Sequence, residues 1–428
     1  MLPPNRPSRS GPNFSAWIDA LTSRNPFTLS RWLICWILLG ISCGLFASLY
    51  WIVLEALIRF LERVEGINLL LLLPLFGFLI GLVIQTLGNP GEIGLIINNI
   101  HSRNGRIEAR ENPAMILTSL LSISVGGSLG PEAPMVQVTG SLGTWLADRL
   151  GVKGEDLRCF SLAGMAAGFT ALFGAPLGGA FFALEILHHQ YVLEYYQAIL
   201  PAIVASCASY IVFALMTHLE IGPTWSFPQY PINRVEDFAL AMIYALVGAV
   251  AGWLFVYLFK ACAWAFARIS APVYWRTTLA GLILAVLALL LPLSRYFGHE
   301  QLNTVVEQNF TASFLLWLAL GKMLAIAVTV QGEWRGGFII PLFFTGACLG
   351  KAIAVLFPGV PPGLAMISVM AALNASVTRT PISTTLLLTK LTGFAPFAPI
   401  LFASLVGFFL SPKHPLISAQ MKKAPPQH

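Results

Sequence analysis

The segment most suited to chemistry lies between Pro113 and Ala147, where Glu132 is the only charged residue. It stands in the run SVGGSLGPEAPMVQVTGSLGTW (124–145). Glycines there free the backbone to bend, and Pro131 suits the first turn of a helix because its missing N–H would have no partner. We expect a helix to begin here, inside an apolar stretch. Its unpaired N–H groups and the positive end of its dipole would form an anion site.

Two further roles are open for this segment. The glycines Gly126, Gly127 and Gly130 could serve close helix packing alone, since small residues recur at membrane helix interfaces. Gly126, Ser128 and Gly130 also match G-x-S-x-G, in which the serine is a nucleophile. That motif needs a preceding strand with a matching histidine and acid. We therefore expect no enzyme, and an intramembrane serine hydrolase using Ser128 is the alternative from the enzyme class.

The composition is that of a polytopic membrane protein. Of 428 residues, 57% are hydrophobic and 10% charged, whereas a soluble domain carries about 25% charged residues. Soluble enzymes, nucleic-acid-binding proteins and disordered scaffolds are thereby excluded, and the lipid bilayer is the expected partner. The net charge of +6 is explained by an excess of Lys and Arg in cytoplasmic loops.

Neither a metal nor a cofactor is expected. The histidines form no H-E-x-x-H motif, and the cysteines form no C-x-x-C pair, so the usual ligand spacings are missing. Each of the six cysteines stands alone in an apolar run and is expected to be a small core residue: Cys35, Cys43, Cys159, Cys207, Cys262 and Cys348.

Many apolar segments are shorter than the roughly 20 residues that a spanning helix needs. They are separated by Gly and Pro rather than by charged loops, which predicts a pathway through the protein, because non-helical backbone at membrane depth must be buried or line a cavity. Two glycine-rich breaks, GGSLGPEAP (126–134) and RGGFIIP (335–341), predict an inverted repeat with its site at the midplane. The expected fold is all-α, with an inverted-topology repeat and many half-length and broken helices.

Loop charges predict the topology, because cytoplasmic loops are enriched in Lys and Arg. The loop 260–276 holds three basic residues and no acid, whereas the loop 218–237 is rich in acidic residues. We expect the protein to lie in the inner membrane of the cell, with both termini in the cytoplasm. The predicted segments are a cytoplasmic tail (1–31), a first membrane half (32–217), an external linker (218–237), a second membrane half (238–420) and a cytoplasmic tail (421–428).

Four segments, in the same order, resemble motifs of the CLC family of chloride channels and anion/proton exchangers. GSLGP (127–131) looks like that family's G-[KR]-E-G-P, and GGFIIP (336–341) looks like its G-G-x-F-x-P. Residues 163–185 resemble the helix pair around A-x-F-x-A-P-x-x-G, and residues 379–393 resemble R-A-P-x-x-x-x-x-x-x-E-M-T. The resemblance covers most of the chain.

The resemblance implies a homodimer with one pore per subunit and an anion held between helix N-termini. The loop at 88–91 corresponds loosely to the family's G-S-G-I-P, where Asn89 could supply an amide donor in place of the serine hydroxyl. By position, the anion-binding and pore residues are Asn89, Pro90, Ser128, Leu129, Gly130, Phe338, Ile339 and Ile417.

Three departures from the family motifs shape the functional expectation. Leu129 stands where this alignment places the gating glutamate, Ile186 follows Glu185 where the inner proton-relay glutamate is expected, and Ile417 replaces the central tyrosine. Coupled exchange needs an ionisable group that enters the anion path. We therefore expect passive conduction of a small inorganic anion, chloride by default.

Glu132 has two interpretations. It lies one helical turn beyond Leu129, so a relocated gate in an anion/proton exchanger is the alternative function. Otherwise its carboxylate stabilises the first turn of its own helix. Lys390 takes the place of a glutamate in the fourth motif and, with Arg379, is expected to satisfy backbone carbonyls or to pair with Glu185.

Overall fold

The computed structural model describes residues 26–91, 105–186, 192–219, 222–232, 234–393 and 397–416, and of 26–30 and 192–196 it describes the backbone alone. This part of the chain forms fifteen α-helices and three short 3-10 turns, with no β-strand. The predicted all-helical fold is confirmed.

Seven helices make up the first half: α1 (Pro26–Leu61), α2 (Leu69–Leu87), α3 (Asn112–Ser124), α4 (Glu132–Arg149), α5 (Glu155–Phe173), α6 (Pro176–Glu185) and α7 (Val192–Thr217). Eight make up the second: α8 (Val235–Ala267), α9 (Val273–Leu290), α10 (His299–Glu307), α11 (Ala312–Gln331), α12 (Ile339–Leu356), α13 (Pro362–Thr378), α14 (Pro381–Thr392) and α15 (Phe397–Phe409).

Seven helices in the described part of the chain are long and apolar enough to cross a membrane: α1, α2, α7, α8, α9, α11 and α12. Five others, α3, α6, α10, α14 and α15, have only 9 to 13 residues. At 1.5 Å per residue, such helices cover only about half of the roughly 30 Å hydrocarbon layer. The predicted mixture of full-length and half-length helices is confirmed.

The two halves are inverted repeats, and an offset of 207 residues relates two pairs of their equivalent helices. This offset relates the start of α4 at Glu132 to the start of α12 at Ile339, and also relates the start of α5 to that of α13. Packing repeats as well: α4 lies against α5 as α12 lies against α13, and α1 lies against α7 as α8 lies against α15. Equivalent helices meet between the halves, α2 with α9 and α6 with α14. The breaks before α4 and α12 are therefore equivalent.

Glycines let the helices of each repeat approach closely. A Cβ at Gly143 on α4 would overlap the backbone carbonyl of Phe160 on α5, and a Cβ at Gly350 on α12 would overlap the backbone of Met366 on α13. The two glycines are 207 residues apart, so the same small-residue contact fixes the position of α4 and of α12.

Candidate functional site

The two glycine-rich breaks meet through a pair of reciprocal hydrogen bonds. Gly130 N donates to Gly337 O at 2.7 Å, and Gly337 N donates to Gly130 O at 2.7 Å. The contact joins equivalent residues of the two repeats in antiparallel fashion, as a local two-fold relation requires. It brings the N-terminus of α4 beside the N-terminus of α12.

The carboxylate of Glu132 lies between these two N-termini. Glu132 begins α4 and is completely buried, and its Oε1 accepts a hydrogen bond from Ile340 N, in the first turn of α12, at 3.0 Å. Its Oε2 has no hydrogen-bond partner among the described residues. That oxygen takes the space that a Cβ at Gly130 or Gly337 would need. A negative group in this place is stabilised by the unpaired amides and dipole of α12.

This contact bears on both interpretations of Glu132. The carboxylate binds an amide of the opposite repeat's helix, 208 positions away, rather than serving only its own helix. It therefore occupies an N-terminal amide of α12, and such amides are general anion-binding groups.

The register of the first family motif is corrected by three residues. Gly130 and Pro134 have the same spacing as their equivalents Gly337 and Pro341. G-[KR]-E-G-P therefore aligns with GPEAP (130–134), which puts Glu132 on the motif's glutamate, with Pro131 and Ala133 in place of the motif's Lys/Arg and second Gly. The alignment on 127–131 arose because Gly130-Pro131 imitates the motif's final Gly-Pro.

Leu129 and Gly130 do not offer the anion contacts expected of them. Gly130 N is already bonded to Gly337 O, so its amide is not available to an anion. Leu129 is completely buried in the hydrophobic core, with its side chain beside Gly336. The described contacts of Leu129 are those of a core residue rather than those expected in the place of a gate.

Phe338 and Ile339 lie where the resemblance placed them, at the start of α12. Phe338 is the N-cap residue and Ile339 the first helical residue. The amide that binds a carboxylate here is that of the next residue, Ile340. The carbonyl of Ile339 accepts a hydrogen bond from Asn374 Nδ2 on α13 at 3.1 Å, which links this turn to the neighbouring helix.

The loop that carries Asn89 and Pro90 is fixed by an arginine of the opposite repeat. Arg335 Nη2 donates to Asn89 Oδ1 at 2.6 Å, and Gly91 N donates to the same oxygen at 3.0 Å. Arg335 N also donates to Ser122 Oγ at 3.1 Å. The Asn89 oxygen is thus occupied, and its NH₂ group carries its remaining donors. Sequence reasoning missed Arg335, although a charge directly before a glycine-rich break was a usable signal.

A second arginine fixes the first break from the other side. Arg295 is buried, and its Nε and Nη2 donate to Val125 O, just beyond α3, at 3.2 and 3.0 Å. Tyr296 N donates to Gly126 O at 3.2 Å, and Gly126 has φ +111°, a conformation that favours glycine. The break before α4 is therefore held in one conformation by the segment after α9.

Lys322 supports this segment from behind. Its side chain on α11 is completely buried, and Nζ donates to Ser294 O at 3.0 Å and to Tyr296 O at 2.5 Å. Because a buried ammonium group is costly without hydrogen-bond acceptors, these two carbonyls account for its position. Lys322 is a positioning residue for Arg295.

Glu185, at the end of α6, binds a helix N-terminus in the same manner as Glu132. Its Oε1 accepts from Ile382 N at 3.0 Å and its Oε2 accepts from Ser383 N at 2.8 Å, both in the first turn of α14. The next residue, Ile186, is buried. Ile417 lies outside the described residues.

The two cations near the fourth motif bind backbone carbonyls. Lys390 Nζ donates to Gly222 O at 2.9 Å, and Arg379 Nη2 donates to Pro412 O at 2.6 Å. Of the two alternatives predicted for them, carbonyl binding is therefore the one observed.

Ser128 lacks the surroundings of a nucleophile. Helix α3 precedes its loop, and its buried Oγ has no hydrogen-bond partner among the residues with described side chains. A catalytic serine needs a base within hydrogen-bond reach, so the geometry gives the hydrolase alternative no support.

Metal ligands are likewise not assembled in the described ranges. No three His, Cys, Asp or Glu side chains there lie close enough together to hold an ion, and the six cysteines are free thiols.

Comparison with known proteins agrees with this geometry. The profile of the family described as "Voltage gated chloride channel" matches residues 76–412. A "Chloride/fluoride channel protein" of Pseudomonas syringae pv. tomato is 28% identical over 390 residues, which cover 87% of this chain and 82% of that protein. The "H(+)/Cl(-) exchange transporter ClcA" of Vibrio cholerae is 28% identical over 307 residues, 68% of this chain and 64% of that protein.

Solved structures share the fold. A CLC-type fluoride/proton antiporter superimposes with a TM-score of 0.82 at 23% identity, covering 93% of this chain and 99% of that one. A slow cyanobacterial Cl⁻/H⁺ antiporter gives a TM-score of 0.77 at 20% identity, covering 91% and 96%. The family profile spans well over half of the sequence, and this chain belongs to the voltage-gated chloride channel (CLC) family.

Proposed function

We propose that this protein moves a small inorganic anion through a path between the N-termini of α4 and α12, that Glu132 is its gate, and that anion movement is coupled to protons. The observation that carries the proposal is the hydrogen bond from Ile340 N to Glu132 Oε1 at 3.0 Å. An ionised carboxylate there competes with an inorganic anion for the same amide. Protonation removes the charge, and the anion then takes the amide.

The same side chain supplies what coupling needs. Coupled exchange requires an ionisable group that enters the anion path and releases its proton to either side. With the corrected register, Glu132 meets that requirement, which supports the exchanger over the passive conductor.

A passive conductor is the second candidate, and Ile186 favours it. The resemblance places an inner proton-relay glutamate at that position, and a buried isoleucine cannot carry a proton. The names of the relatives also include both activities, since one is named a channel and others are named exchangers or antiporters.

Chloride is the default anion, and fluoride is its first competitor because relatives are named for both. Backbone amides bind either ion. The remaining pore residues are proposed by position: the amide NH₂ of Asn89 with Pro90, the first turn of α12 at Phe338 and Ile339, and Ile417. The homodimer and the cytoplasmic location of both termini are part of the same proposal.

The test is efflux from liposomes loaded with an internal pH dye, with anion and proton movement followed together. We expect an imposed anion gradient to drive protons uphill in the wild type, and Glu132→Gln to abolish proton movement while anion flux persists. Glu300→Gln, at an exposed carboxylate on α10, is the matched control and is expected to behave as wild type. Anion flux without uphill proton movement in the wild type would establish the passive conductor.

A further inference from the structure

Two carboxylates, Glu132 and Glu185, bind the N-termini of two helices that are separated in the sequence by a single helix. Glu132 binds the first turn of α12 and Glu185 binds the first turn of α14. Helix α13 runs between these two turns and packs against both α12 and α14. A polar route along α13 would therefore connect the two carboxylates.

A row of buried polar side chains covers part of that way. Asn374 Nδ2 donates to Ile339 O at 3.1 Å, and Thr378 Oγ1 donates to Asn374 O at 2.8 Å. Thr378 Oγ1 also lies 2.7 Å from Thr380 Oγ1, which lies 3.5 Å from Thr384 Oγ1. Thr384 is adjacent to Ser383, whose backbone N binds Glu185. All four side chains are 1 to 2% exposed.

The hydrogen bonding of Thr378 goes beyond what is usual for a threonine in a helix. A helical threonine commonly donates to the carbonyl four residues earlier, as Thr345 and Thr389 do at 2.9 Å. Thr378 makes that bond and in addition contacts a second hydroxyl. A hydroxyl both donates and accepts, so adjacent hydroxyls can pass a proton on, which apolar side chains cannot do.

We propose that Thr378, Thr380 and Thr384 relay protons between Glu185 and Glu132, in place of the inner glutamate that Ile186 replaces. This inference rests on the proposed function. Glu185 is only partly buried in the chain and exchanges its proton with water. Each hydroxyl accepts one proton and releases its own, so one proton leaves Glu185 and one reaches Glu132. The proposal requires water to connect Thr384 with Glu185 and Thr378 with Glu132.

The structure supplies an acceptor at the Glu132 end. Glu132 Oε2 is buried and has no hydrogen-bond partner among the described residues, while Oε1 is held by Ile340 N. Asn374 fixes α13 to the turn that binds Glu132 and is a positioning residue.

The test compares Thr380→Val and Thr378→Val with wild type in the liposome assay of coupled flux. Valine keeps the shape of threonine and removes the hydroxyl. We expect anion flux to persist and the rate of proton movement to fall roughly 100-fold or more, as when a positioned proton-transfer group is lost. Thr380→Ser restores a hydroxyl and is expected to restore proton movement. Thr389→Val on α14 is the matched control, expected to leave the proton-to-anion ratio unchanged.

The outcomes separate the two proposals. A wild-type protein that moves anions without protons overturns both the coupled function and the relay. Coupled wild-type transport with an unchanged ratio in both valine variants overturns the relay alone. Equal loss of anion and proton flux in Thr380→Val, not rescued by Thr380→Ser, would show a structural role and also overturn the relay.

Discussion

Gly130 and Gly337 each donate a backbone hydrogen bond to the other at 2.7 Å, and this pair is the point at which the two repeats meet at the site. A Cβ at either position would overlap the Glu132 side chain, because the carboxylate fills the space beside both α-carbons. The contact therefore sets the distance between the N-termini of α4 and α12 and the place of the carboxylate between them.

Gly337→Ala is expected to displace Glu132 from α12. The new Cβ would overlap the Glu132 side chain, so the carboxylate must leave the amide of Ile340. If Glu132 is the gate, anion flux becomes less dependent on pH and proton coupling falls, as liposome flux across a pH series would measure. Gly222→Ala is the control, since a Cβ there meets no atom within 4 Å.

Arg295→Met is expected to destabilise the break before α4. It removes the donors to Val125 O, and a buried carbonyl left without a partner costs about 2 kcal/mol. Thermal unfolding in detergent should show a lower midpoint. Arg268→Met, at an exposed arginine after α8, should leave the midpoint unchanged, and an equal shift in both variants would contradict the argument.

How much of this could be predicted from the sequence depends on the range of the contacts. The helix start at Pro131 and Glu132 follows from local chemistry, and so do the short helices at Pro176 and Pro381, because Gly and Pro act on their own neighbours. The inverted repeat followed from the similarity of two breaks.

Contacts between the repeats could not be predicted from the sequence. Glu132 and Ile340 are 208 positions apart, and Arg335 and Asn89 are 246 apart, and no local pattern specifies either pair. The register at Leu129 was a different case, since GPEAP (130–134) keeps the motif's glutamate and final proline in the sequence itself, and the pairing of Gly130 with Gly337 supports that register.

Topology is a separate prediction, motivated by the loop charges. Both termini and the segment 260–276, from the end of α8 to the start of α9, are expected in the cytoplasm, and the segment 218–237 before and at the start of α8 is expected outside. Single cysteines introduced at Thr224 and Arg268 in a background without native cysteine should separate under a membrane-impermeant thiol reagent applied to intact cells. Only the cysteine replacing Thr224 should react, and the reverse pattern would invert the orientation.

Subunit organisation is predicted from the family resemblance. We expect a homodimer in which each subunit contains a complete path, since both breaks and Glu132 belong to one chain. A linked dimer with one Glu132→Gln subunit should therefore keep about half of the proton flux, by additivity of independent sites. Complete loss of proton flux in that dimer would show one shared path.

The final prediction distinguishes the two positions considered for the gate. Leu129 is buried among apolar side chains beside Gly336. Introducing a carboxylate there, Leu129→Glu, buries a charge without a partner and is expected to lower stability. It should not create a pH-dependent gate.

Glu132 offers the opposite case, because its carboxylate already binds Ile340 N. Glu132→Gln keeps the size and an acceptor oxygen but removes the titrating group, so folding should persist while the pH dependence of anion flux disappears. The double variant Leu129→Glu with Glu132→Gln completes the comparison in the same flux assay. Should that protein regain a pH-dependent gate, position 129 would reach the anion path and the corrected register of the motif would be wrong. If it stays independent of pH, the gate belongs to position 132, because only there does a carboxylate compete with the anion for the amides of α12.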